Sequence, residues 1–184
     1  DSFISVAEQL KDHDINVPKI ISHHPTIGVT IQNDLGDDDL ISLMNDQNRE
    51  FLINKSIDLL VDIHKVDIEG LVHLSSSDLK DQMNKFKYIF CEKFLDISAD
   101  ELVNDLIMNA LDNLQECPKN NCHFDFERRN LILDDRNEVN VIDFQDMCIA
   151  PIGIDIAGIL LDHYMSFDRS IIKKDLKYFL DHSD

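Results

Sequence analysis

Apolar residues recur along this chain with two periods, and the period changes where the elements change. Phe3, Val6, Ala7 and Leu10 fall at i, i+3, i+4 and i+7, which predicts an opening helix with Ser2 as its N-cap. Pro18 stops helical structure, and Lys19 to Ser22 turn extended. "HHPTIG" reads as a turn with His23 and His24 solvated in it, and "GVTIQ" alternates as a strand with Val29 and Ile31 on one face. Gly36 breaks that strand inside "NDLGDDDL", whose acids suit the cap of a following helix.

Helical spacing then dominates. In "EFLINKSIDLLVDIHK" the residues Ile53, Ile57, Leu60, Val61 and His64 share a face, with His64 buried or capping near the helix end. In "SDLKDQMNKFKYIFCEKF" the same holds for Leu79, Met83, Phe86, Phe90 and Phe94. Ser98 to Glu101 form a capping box ahead of Val103, Ile107, Ala110 and Leu114, and Pro118 ends that helix. Residues 131 to 143 read as a hairpin, "LIL" and "EVNVID" about the turn "DDRN". Helices resume through "IDIAGILLDHY" and over about 170 to 181. The Phe and Leu stripes are expected to be core, and the layout is α+β and mostly helical.

Composition narrows the function. A chain of 184 residues with 43% hydrophobic residues can bury the core of one domain, or form part of a larger one. A net charge of −19 opposes binding to nucleic acid or to an anionic membrane surface, so an anionic ligand needs a cation between it and the chain. There is no apolar run of 18 residues and no signal-like opening, so neither a spanning nor an exported chain is expected. Cys91, Cys117, Cys122 and Cys148 lack CxxC spacing, which fits a reduced, cytoplasmic setting. Oligomeric state is left open.

The densest chemistry lies in "CHFDFERRNLIL", residues 122–133. The hairpin brings Asn130, at the start of one strand, and Asp143, at the end of the other, to the same edge. An amide and a carboxylate are the kind of oxygen pair that Mg²⁺ takes alongside phosphate oxygens. Asp125, five residues before Asn130, is then placed to accept the proton of a hydroxyl attacking phosphorus.

H-x-D-x-x-x-x-N followed by I-D-F resembles the catalytic core of the aminoglycoside phosphotransferase and choline kinase superfamily, small-molecule relatives of the protein kinases. "DLGD" (Asp34 to Asp37) looks like the segment after the hinge between lobes, and "RNLIL" like the exit of the catalytic loop. "DFQDMCIAPIGIDIAGILLD" is similar to the family's D-F-Q-D-A followed by G-P and Y-D-L-A-S-L-L-x-D. The chain is most like bacterial kinases that phosphorylate the anomeric hydroxyl of N-acetylmuramate and N-acetylglucosamine in cell-wall recycling. The likeness runs from the first helix to about Tyr164.

This resemblance implies a protein-kinase-like fold, ATP as phosphoryl donor, Mg²⁺ and a small-molecule acceptor. It implies Asp125 as catalytic base, Asn130 and Asp143 as metal ligands, and His123 and Asp155 as supports of the catalytic loop. Asn33, Asp34 and Leu35 correspond to the hinge whose backbone meets the nucleotide. Residues 1–35 correspond to a remnant of the N-lobe and 36–184 to the helical C-lobe. The N-lobe sheet is largely missing from this layout: the strands that carry a phosphate loop and a lysine have no counterpart, and Glu8 is the candidate for the helix glutamate that pairs with that lysine. Ile154 stands where the subfamily usually has an aromatic residue, and Asn33 replaces the common hinge glutamate. The substrate-binding residues are not implied, and aminoglycoside, choline and homoserine-type alcohols remain alternatives.

Other constellations fail. "DDRNEVNVID" lacks the glycine of an EF-hand loop. Cys117, Cys122 and His123 have no fourth zinc ligand at a sensible spacing. A kinase-like binding module without turnover is the competing class, and retention of Asp125, Asn130 and Asp143 together argues for the enzyme.

Overall fold

Helix α1 (Ser2–Asp12) forms on the expected stripe and buries Val6, Ala7 and Leu10. The computed structural model of the chain describes residues 2–98, 101–161 and 168–183, with the Ser2 side chain, and hence its capping role, outside that set. Strands β1 (Ile20–His24) and β2 (Val29–Gln32) pair antiparallel. His23 and His24 therefore belong to a strand rather than to the turn, and His23 Nδ1 lies 2.9 Å from Thr30 Oγ1 across the ladder. Val29 and Ile31 do alternate, but their face is exposed.

Past Gly36, Asp39 caps the short α2 (Leu40–Leu43) by accepting from the Ser42 N–H at 2.7 Å, as the acidic run foretells. Helix α3 (Arg49–Lys65) is the central rod; Leu52, Ile53, Ile57, Leu60 and Ile63 on it are all buried. Arg49 at its start meets Asp175 at 2.6 Å, with both side chains largely withdrawn from solvent.

The next stretch departs from expectation. Strand β3 (Val72–His73) is followed by α4 (Ser76–Lys85), which opens on a reciprocal Ser75–Asp78 capping box. The helix then widens into a π-helical segment, Phe86–Phe94, instead of continuing as α. Phe86, Phe90 and Phe94 stack on one another at 5.4 and 5.9 Å but are 47%, 44% and 76% exposed, so this stripe is not core. Spacing marks such a face without saying whether anything covers it.

Helix α5 (Glu101–Glu116) packs Ile107 and Leu111 against Leu79 of α4; the capping box expected before it lies partly outside the described residues. Strand β4 (Lys119–Cys122) follows. The hairpin is present as β5 (Leu131–Leu133) and β6 (Val139–Val141), paired Leu131 to Val141 and Leu133 to Val139. Strand β7 (Cys148–Pro151) lies between β3 and β4, parallel to the first and antiparallel to the second.

Helix α6 (Gly153–Leu160) is shorter than the periodicity suggests, residues 162–167 lying outside the described set, and α7 (Arg169–His182) is capped by Asp168. The main core joins α1, α3, the β5–β6 hairpin, Phe126, Phe144, α6 and Phe179 of α7. Phe3 lies flat on Phe144 at 4.9 Å, which seats α1 on the turn after the hairpin. Phe126, in the loop between β4 and β5, belongs to this core.

Candidate active site

Strand β4 leads straight into the loop, so its pairing with β7 sets where His123 begins. Asn121, buried before it, donates to the carbonyls of Ile63 and Val66 at 3.0 and 2.6 Å, tying the strand to the end of α3. His123 is fully buried. Its Nε2 lies 2.9 Å from the Ile142 carbonyl, which can only accept, so Nε2 carries the proton. Nδ1 is then free to accept the Asp125 N–H at 3.3 Å. Burial holds the imidazole below its ordinary pKa, in keeping with this neutral form.

Asp155, at the start of α6 and fully buried, accepts from the backbone N–H groups of His123 and Phe124 at 2.6 and 2.9 Å. Burial raises its pKa to about 6, against the pull of those two bonds. The pair of bonds supports an unusual backbone: Phe124 has φ of +73°, a left-handed value uncommon for a bulky side chain. Gly158, one turn further along α6, lies so close that an added Cβ would sit 2.8 Å from the Phe126 carbonyl oxygen. Neither the Phe124 conformation nor the Gly158 contact was read from the sequence. A glycine in an otherwise apolar helix was the available signal for the second.

Asp125 emerges exposed from this frame. Asn130 Nδ2 donates to its carboxylate at 3.0 Å and to its carbonyl at 2.9 Å. The Asn130 carbonyl accepts from the Ile142 N–H at 3.0 Å, which brings the residue before Asp143 alongside Asn130. Asp143 is exposed and left-handed, φ 66° and ψ 33°. The sequence-predicted trio is thus gathered at one edge.

Among the described residues the Asp143 carboxylate and Asn130 Oδ1 receive no hydrogen bond, so both groups are open to a cation. Also among the described residues, no three His, Cys, Asp or Glu side chains form a cage of their own. Such a donor set fits a hard ion completed by ligand oxygens better than an all-protein metal centre.

Asn33, Asp34 and Leu35, expected at a hinge, line a cavity together with Ile132 of β5. The Asn33 N–H donates to Lys19, and Asn33 Oδ1 accepts from the Lys19 N–H in return. Asp34 Oδ1 accepts from the Gly36 N–H at 2.9 Å. Leu35, with Pro18, Gln32, Ile132 and Ile142, lines a cavity of about 280 Å³ beside these residues. A second cavity, of about 560 Å³, opens between α1 and β1 and is lined by Glu8, Lys11 and Lys19.

Residues 1–182 match the phosphotransferase enzyme family, APH. The chain belongs to that family. An N-acetylmuramate/N-acetylglucosamine kinase from Neisseria meningitidis serogroup B (strain ATCC BAA-335 / MC58) is 28% identical over 167 residues, spanning 86% of this chain and 50% of that protein. Among solved structures, choline kinase LicA from Streptococcus pneumoniae matches all of the chain and 61% of its own, with a TM-score of 0.68 at 16% identity. The aminoglycoside phosphotransferase APH(3'')-Id from Streptomyces rimosus ATCC10970, solved with ADP and streptomycin, gives a TM-score of 0.67 at 13% identity, over 99% of this chain and 75% of that one. This APH-family chain therefore has the protein-kinase-like fold that the H-x-D loop implied, and it spans about half the length of the curated relatives it matches. No helix among the described residues is long and apolar enough to cross a membrane.

Proposed function

We propose that this chain supplies the hinge, catalytic loop and metal-binding strand end of an ATP-dependent small-molecule kinase, with residues 1–35 belonging to an N-lobe and 36–184 to the C-lobe. The observation that carries the reading is the edge described above: an exposed Asp125 oriented by Asn130, which is itself bonded to the residue preceding Asp143. Asp125 accepts the proton of the acceptor hydroxyl as that oxygen attacks the γ-phosphorus and ADP departs. Asn130 Oδ1 and the Asp143 carboxylate would hold Mg²⁺, which when bound neutralises phosphate charge that this acidic chain otherwise repels. His123 and Asp155 keep Asp125 in place without touching the reactants.

The acceptor we propose is the anomeric hydroxyl of an N-acetylated amino sugar. The name borne by the Neisseria relative supports it. So does chemistry, since an anomeric hydroxyl is more acidic than an ordinary alcohol and suits a lone carboxylate base. The net charge of −19 favours one rival, a polycationic aminoglycoside. A coupled ADP-release assay on the full-length gene product separates them, comparing N-acetylglucosamine and N-acetylmuramate with kanamycin, choline and homoserine. Turnover of an amino sugar, with affinity indifferent to salt, is the expected result. Turnover of kanamycin alone, weakening steeply with ionic strength, would replace the sugar by the polycation.

A further inference from the structure

Asp143 keeps its left-handed backbone without help from its own side chain, which makes no capping hydrogen bond to the turn that follows. A residue other than glycine stays in that region only where its neighbours over-determine it. On the strand side the neighbours are tied down. The Ile142 N–H bonds to the Asn130 carbonyl, and the Val141 N–H donates to the Asn16 carbonyl, past the end of α1, at 2.9 Å. On the other side stands one turn of 3-10 helix, Phe144–Asp146, with the Met147 N–H on the Phe144 carbonyl at 3.3 Å. That bond is long, so the buried Phe144 side chain is the stronger anchor of the turn. The Phe3 ring of α1 lies on it at 4.9 Å with 7° between the planes. Helix α1 is itself gripped from below: the Gln9 carboxamide accepts from the Glu69 N–H at 2.7 Å and donates to the Glu69 carbonyl at 3.3 Å.

We propose that Phe3 is a positioning residue for the metal site, keeping the Asp143 carboxylate at the edge it shares with Asn130. It acts through Phe144 and has no polar atom of its own to offer a ligand. A stacked aromatic pair gains attraction beyond its buried area, so an aliphatic side chain does not replace the ring. The opening helix thus steadies a site whose oxygen donors all lie far along the chain. This inference rests on Asn130 and Asp143 holding Mg²⁺.

The test is calorimetric binding of ADP, with and without Mg²⁺, to the full-length gene product and to Phe3→Ala, Phe3→Tyr and Leu10→Ala. Leu10 is buried at the other end of α1, so its truncation weakens the helix without removing the ring. Phe3→Ala should lose about twofold to tenfold of the affinity that Mg²⁺ adds, the range of one stacked pair, and bind ADP alone as wild type does. Phe3→Tyr keeps the ring and should restore the wild-type gain, and Leu10→Ala should retain it. Hydrogen exchange without any metal gives a second readout: in Phe3→Ala the Met147 amide should exchange faster relative to the amides of α3. Should Phe3→Ala fail to fold, Phe3→Leu, which keeps apolar bulk but not the flat face, carries the same comparison. A full Mg²⁺ gain in a folded Phe3→Ala or Phe3→Leu, or an equal loss in Leu10→Ala, overturns the role of Phe3 while leaving the metal site intact. Absence of any Mg²⁺ gain in wild type overturns the metal site and this inference together.

Discussion

His123 and Ile142 are joined by a single hydrogen bond, Nε2–H to carbonyl oxygen at 2.9 Å, and that bond links the loop carrying Asp125 to the strand end carrying Asp143. The same Ile142 uses its N–H to hold the Asn130 carbonyl at 3.0 Å. One backbone unit therefore fixes the spacing of all three proposed site residues. The arrangement is local, and it makes the following outcomes specific.

Asp125→Asn should lower turnover by about 10²- to 10⁴-fold, the usual contribution of a positioned base. Asp125 is exposed and the amide keeps its shape, so the melting temperature should hold. Single-turnover measurement with the accepted sugar checks this. A variant within a few-fold of wild type removes Asp125 from the chemistry.

Asp143→Ala should uncouple nucleotide affinity from Mg²⁺. In wild type, titration of ADP with and without Mg²⁺ should give different dissociation constants, and in the variant the same one. If the variant responds to Mg²⁺ as wild type does, the ion is held elsewhere.

Gly158→Ala pushes a methyl group to within 2.8 Å of the Phe126 carbonyl, a backbone atom that cannot swing aside. Overpacking of this kind costs about 1–3 kcal/mol, or about 2–10 °C in melting temperature for a domain of this size. Turnover should fall as well, because Phe126 follows Asp125 directly. A melting curve superimposable on wild type would show that α6 can retreat from the loop.

His64 supplies a pH test. Its Nε2 is buried without a partner among the described residues, its ring meets Phe179 edge-on at 6.1 Å, and burial takes its pKa from 6.5 down to about 4. Between those values the unfolded chain binds the extra proton. The stability from neutral His64 is thus complete above pH 6.5 and drains away as pH falls toward 4, by at most about 3 kcal/mol. His64→Leu should flatten the fall in melting temperature across that window. Parallel wild-type and variant curves would show that His64 titrates normally.

Much of this was legible in the chain because it is local. The α3 stripe, the Asp39 cap, the hairpin and the H-x-D loop are each written within a few residues. The three-stranded sheet was not, since β3 has two residues, β4 reads "KNNC" as polar loop, and their shared partner β7 lies far along the chain. The Phe86, Phe90 and Phe94 stripe departs from the expected core for another reason: regular spacing defines a face, and burial depends on what packs there. His23 in β1 shows the same limit, since pairing with Thr30 comes from the partner strand.

The left-handed backbone at Asp143 also governs how this position can change over generations. Glycine and asparagine accept such a conformation readily, whereas β-branched and bulky residues do not. Substitutions tolerated by the fold are therefore largely those that delete the carboxylate. A lineage that abandoned phosphoryl transfer could drift to Gly here with its architecture whole, and that letter, in place of the aspartate of "VIDFQD", is the mark by which a silent descendant would be recognised.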